Sequence, residues 1–166
     1  MKKQSAKRTV RDSSKASAAL VARLGGRLTA ASGAGLEKGD ARVQGRFRIE
    51  TKRPPTGHYR LTFQDWEKIR DAALRANEIP VFHLMLGHEE IIALREEDYI
   101  GLGGKETNIG NLGRAPCLGQ EMDAHVWIGL LVVYRHAQLK LNKGTKTYTL
   151  RLMPAVDFIQ LATESA

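Results

Sequence analysis

The sequence predicts an α/β protein: a central mixed β-sheet flanked by helices, with a small C-terminal β-rich extension. Three observations lead there. Short runs of alternating apolar and polar residues are interleaved with amphipathic helical patterns. The first elements run helix, three strands, helix, two strands, which suits helices layered on one sheet. A chain of 166 residues with 42% hydrophobic content is long enough to bury one good core.

In chain order, residues 1–13 read as a flexible basic tail carrying Lys2, Lys3, Lys7, Arg8 and Arg11. Ser13-Ser14 offers an N-cap for a helix over residues 15–24, with Ala18, Leu20, Val21 and Leu24 apolar, and Gly25-Gly26 stops it. Residues 28–31 suit a short strand, and SGAGLEKG (32–39) has the composition of a flexible loop. Residues 40–43 and 46–52 read as two strands around Gln44-Gly45, closed off by Pro54-Pro55. Thr62 caps a helix over residues 63–76, with Asp65 in its first turn and Trp66, Ile69, Ala73 and Ala76 on an apolar stripe. Strands follow over 80–86 and 90–94, turning at Gly87-His88. Residues 14–99 thus form the core unit.

Residues 100–124 are a Gly-rich loop region. IGLGGKETNIGNLG is not a phosphate-binding P-loop, because no Gly stands five residues before Gly104-Lys105 and Glu106 follows in place of Ser or Thr. Strands are expected over 125–134 and 146–152, and a helix over 156–162 after Pro154. Residues 125–166 complete the same domain.

Net charge is +8, and its distribution is uneven: residues 1–60 hold fifteen Lys or Arg against four acids, while the remainder is slightly acidic. Arg27, Arg42, Arg46, Arg48, Lys52, Arg53 and Arg60 carry the bias into the folded part, where a polyanion can lie against it and release counterions. Nucleic acid is the leading partner. No apolar run approaches the roughly 18 residues of a membrane span, and the N-terminus lacks the apolar stretch of a signal peptide. A cytoplasmic protein without membrane attachment is expected. The lone Cys117 excludes an internal disulfide framework and a thiolate-rich zinc site.

The segment GDARVQGRFRIETKRPP (39–55) carries the chemistry. Alternation sends Phe47, Ile49 and Thr51 to one face and Arg46, Arg48, Glu50 and Lys52 to the other. With a three-residue connection, Gln44 to Arg46, Asp40 falls opposite Glu50, with Cβ atoms about 4.5–5.5 Å apart. A two-residue turn would set Asp40 against Ile49 instead. Two carboxylates held that close repel unless a cation settles between them. Oxygen ligands without Cys or paired His suit Mg²⁺ or Mn²⁺, and Lys52 can steady negative charge growing on a phosphate. A plain salt-bridged sheet surface is the alternative.

LGGRLTAASGAGLEKGDARVQGRFRIETKRP resembles the phage-encoded Holliday-junction-resolvase-like endonucleases of the PD-(D/E)xK superfamily, with Gly-Gly-Arg, a Ser-Gly loop, Gly-Asp and then Glu-x-Lys at a strand's end. The resemblance runs on through FQDWEKIRDAALRANEIPVFHLML and covers about residues 14–95. It implies a restriction-endonuclease-like core and a Mg²⁺-dependent endonuclease that cuts branched DNA as a homodimer in the host cytoplasm. By the same resemblance Asp40 and Glu50 are metal ligands with the main-chain carbonyl of Thr51, and Lys52 is the catalytic lysine. Arg27, Ser32, Gly33, Lys38, Arg53 and Arg60 fall along the DNA.

One departure stands out. The family's first helix carries a Glu about two turns before the Gly-Gly, and Ser17 holds that place here. A catalytically impaired DNA-binding protein of the same fold is therefore the alternative function, unless Glu37 or a water held by Ser17 substitutes. A basic assembly or RNA-associated protein, with Asp40 and Glu50 merely paired to arginines, is a third. Among the five His residues, His83 lies in an apolar strand and reads as a satisfied core residue, while His58 and Tyr59 follow the Pro-Pro turn close to the proposed cleft. Ser32 lacks a Gly-x-Ser-x-Gly setting, which excludes a nucleophile elbow there. Trp66 reads as core, and Lys68, Arg70 and Arg75 as the exposed side of their helix.

Overall fold

A computed structural model describes residues 15–28, 41–55, 58–105, 109–111 and 135–166. Helix α1 occupies residues 15–23. It ends where Gly25 takes a positive φ of 70° and the Gly26 N–H reaches back to the Val21 carbonyl at 2.9 Å, a Schellman closure. A Cβ on Gly26 would meet Val43 Cγ2 at 2.6 Å, so the second glycine lets the chain pass close to the sheet.

Strands β1 (Arg27–Leu28), β2 (Ala41–Val43) and β3 (Phe47–Lys52) are antiparallel neighbours. Helix α2 (Phe63–Arg75) crosses to β4 (Ile79–Leu86), which pairs parallel to β3. Its N-terminus is fixed by a reciprocal capping box between Thr62 and Asp65, as the spacing predicts. Strand β5 (Glu89–Arg95) returns antiparallel through Gly87-His88 and leads into the short helix α3 (Glu96–Gly101). Then come β6 (Ile109–Asn111), β7 (His136–Lys143), β8 (Lys146–Pro154) and helix α4 (Ala155–Glu164). All strands join one mixed sheet of order β1-β2-β3-β4-β5-β8-β7-β6, and β8 pairs directly with β5. The fold is α/β, with a mixed sheet flanked by helices.

Both sheet faces are covered. Helix α2 lays Trp66 and Ile69 against Phe82, Leu84 and Ile91. On the other face α1 and α4 pack Leu20, Val21 and Phe158 against Phe47, Ile49 and Val81. Each such fully buried side chain contributes about 1.5–3 kcal/mol of apolar transfer.

Two features depart from the sequence reading. Residues 100–124 are not all loop: α3 runs to Gly101, and Ile109–Asn111 pairs parallel with β7. Three acids in the first turn of α3 complement its N-terminal dipole, and the β6 pairing is too distant along the chain to leave a local signal. Strand β7 was not expected, although Ala137, Leu139 and Leu141 alternate inward with Gln138, Lys140 and Asn142. The strand expected over 125–134 lies outside the described residues, as do the 1–13 tail and the 32–39 loop.

Candidate active site

The β2–β3 hairpin uses a three-residue connection. Its register is Ala41↔Ile49, Arg42↔Arg48 and Val43↔Phe47, with Gln44, Gly45 and Arg46 as the turn. Gly45 takes a φ of 75°, and the Arg46 N–H donates to the Val43 carbonyl at 2.9 Å. This is the connection that the metal-site geometry demands. Asp40 itself lies outside the described residues, together with Ser32, Gly33, Lys38 and Glu37.

Along β3, Phe47, Ile49 and Thr51 are buried on the α1 side, and alternation turns Arg48, Glu50 and Lys52 toward the α2 side. Glu50 and Lys52 stand together at the strand's end, with Lys52 Nζ 2.6 Å from Glu50 Oε1 and side chains 37% and 23% exposed respectively. The pair is therefore partly open to solvent. Glu50 lies opposite Phe82 in the parallel ladder, and the Tyr59 ring packs on Phe82 with centroids 5.9 Å apart. Burial, then the charge of Asp65 and a hydrogen bond to it, and finally the charge of Glu50 hold the Tyr59 phenol well above its usual pKa. Tyr59 is thus a protonated wall between two carboxylates.

The reverse face holds a polar chain within an apolar layer. Thr51 Oγ1 lies 3.2 Å from His83 Nδ1, and His83 Nε2 lies 3.0 Å from Glu90 Oε1, which Arg23 of α1 also engages. The hydrogen bond from His83 is the main reason that the Glu90 carboxyl is lowered to about 2, helped by Arg23 and opposed by burial. His83 is a satisfied core residue, as expected, but its partners were not foreseen. They depend on the β3–β4 pairing Thr51↔His83, which no local pattern reveals.

Several arginines do not form the continuous basic surface that the sequence predicts. Arg48 is buried and donates to Glu78 Oε2 at 2.9 Å, and Arg42 engages the other oxygen of the same carboxylate. Arg46 instead reaches α4, donating to the Ala162 carbonyl at 2.6 Å. Buried charge needs a partner, so these cations serve the fold. Arg53, directly after β3, and Arg60 are exposed, whereas only the backbone of Arg27 is described. His58 is partly buried. On α2, Trp66 is fully buried, Lys68 and Arg75 are exposed, and Arg70 pairs with Asp71.

Ser17 is fully buried on α1, one turn before Leu20 and Val21, which pack on the Ile49 side of the sheet. Among the described residues, no group of three or more His, Cys, Asp or Glu is arranged to hold a metal ion. Nor is any described helix long and apolar enough to cross a membrane.

No protein-family model matches the chain, and comparison with curated proteins and with solved structures gave no match either. The functional reading stands on the chain's own chemistry.

Proposed function

We propose that this protein is a metal-dependent endodeoxyribonuclease with a restriction-endonuclease-like core, hydrolysing phosphodiester bonds in branched or structured DNA. One observation carries the reading: Glu50 and Lys52 emerge side by side from one partly open sheet face, in a hairpin whose three-residue connection suits a second acid opposite Glu50. The reading requires the ladder to run one pair beyond Ala41↔Ile49, setting Asp40 against Glu50.

The donor set suits a hard divalent ion: the Glu50 carboxylate, the Thr51 carbonyl and the Asp40 carboxylate are all oxygen, favouring Mg²⁺ or Mn²⁺. When bound, such an ion polarises a phosphate oxygen and lowers the pKa of a coordinated water. Lys52, released from Glu50, stabilises the negative charge that builds on the phosphate. Tyr59 keeps its proton and walls the site, while exposed Arg53 and Arg60 take the DNA backbone. A homodimer would place two such sites for paired cuts across a junction.

A second reading, DNA binding without cleavage, rests on Ser17 standing where the resemblance places a first-helix Glu. Incubation with Mg²⁺ and a four-way DNA junction separates the two. The nuclease reading expects cutting that Lys52→Ala reduces by about 10²-fold or more. Binding without cutting selects the second reading, and structure-indifferent weak binding rejects both.

A further inference from the structure

We infer that His83 is a positioning residue for the Glu50–Thr51–Lys52 segment, acting through the Thr51 hydroxyl from the opposite side of the sheet. The inference rests on the metal-site reading of that segment.

Lys52↔Leu84 is the last pair of the β3–β4 ladder, so Thr51 lies where a strand begins to fray. Its carbonyl and the two flanking side chains must nevertheless hold one orientation to meet an ion, because a loose ligand sphere loses affinity. The Thr51 side chain supplies the anchor. An ionised Glu90 only accepts, so His83 Nε2 carries the hydrogen toward it, and this fixes the ring with Nδ1 3.2 Å from the Thr51 hydroxyl. Glu90 is itself held by Arg23, which ties the end of β3 through β4 and β5 to α1.

The surroundings make a purely packing role for these groups costly. Phe47, Ile49, Val81 and Ile92 fill the same layer with apolar side chains, and His83 and Thr51 are almost wholly buried among them. A valine or leucine would fill such space without desolvating polar atoms. What the His–Thr pair adds is a directional constraint on residue 51.

Calorimetric titration with Mn²⁺ alone tests this, with thermal melting as the check on folding. Thr51→Val preserves shape and removes the hydroxyl; it is expected to weaken Mn²⁺ binding about tenfold, whereas Thr51→Ser stays within about twofold. His83→Leu should lose as much as Thr51→Val, and the double variant no more than either, because both remove one bond. Wild-type-like binding by Thr51→Val and His83→Leu, or losses that add, overturns the inference while leaving the metal site standing. Absence of Mn²⁺ binding by the wild type overturns both.

Discussion

Two ion clusters lie on the same face of β3, two residues apart, and they differ in almost every physical respect. Arg48 and Glu78 have side chains 3% and 0% exposed, and Glu78 also serves Arg42 and the Gly45 N–H. Glu50 and Lys52, at the open end of the strand, are partly solvated. The first cluster is closed and fully committed, clamping the hairpin turn to the start of β4. The second has the access that chemistry needs. Thus the closed cluster fixes the register on which the open one depends, since Gly45 sits in the connection that decides what faces Glu50.

Breaking the closed cluster should have the largest effect. Glu78→Ala removes the buried carboxylate that Arg42 and Arg48 share and is expected to cost about 3–5 kcal/mol in urea unfolding. A loss below about 1 kcal/mol would erase the distinction drawn between the clusters. Replacing the Arg48–Glu78 pair by Met and Leu sharpens it: the apolar substitute should recover the share of that loss due to Arg48, while the share due to Arg42 and the Gly45 N–H stays lost.

Acid comes next. The folded pKa of Glu90 is lowered from 4.5 to about 2, so its stabilisation is present above the unfolded value and is lost as pH falls through that interval. Solvent screening limits this contribution to about 1 kcal/mol. Glu90→Gln should flatten the thermal-melting profile over the same acid range. Smallest of all, Lys52→Met should change stability by less than about 1 kcal/mol, because the Glu50–Lys52 pair is open to water. A larger cost in urea unfolding would make this pair structural too.

The sequence made the α2 boundaries and the β4–β5 hairpin legible because their signals are local: a capping box, an apolar stripe and a Gly turn. The grouping of Glu50 with Lys52 followed from strand alternation alone. The fate of Arg42 and Arg48 did not, because Glu78 reaches them only after α2 has crossed back to the sheet. The Thr51–His83–Glu90 chain was hidden for the same reason, resting on two strand pairings. Ser17 shows the reverse problem: its position in a motif was readable, but its complete burial on α1 was not.

The central claim is that Asp40 and Glu50 converge on one ion, and Mn²⁺ titration of Asp40→Asn, Glu50→Gln and their double variant tests it most directly. The account predicts that each single change weakens binding roughly tenfold or more and that the double weakens it further than either. Unchanged affinity in either single variant would contradict it.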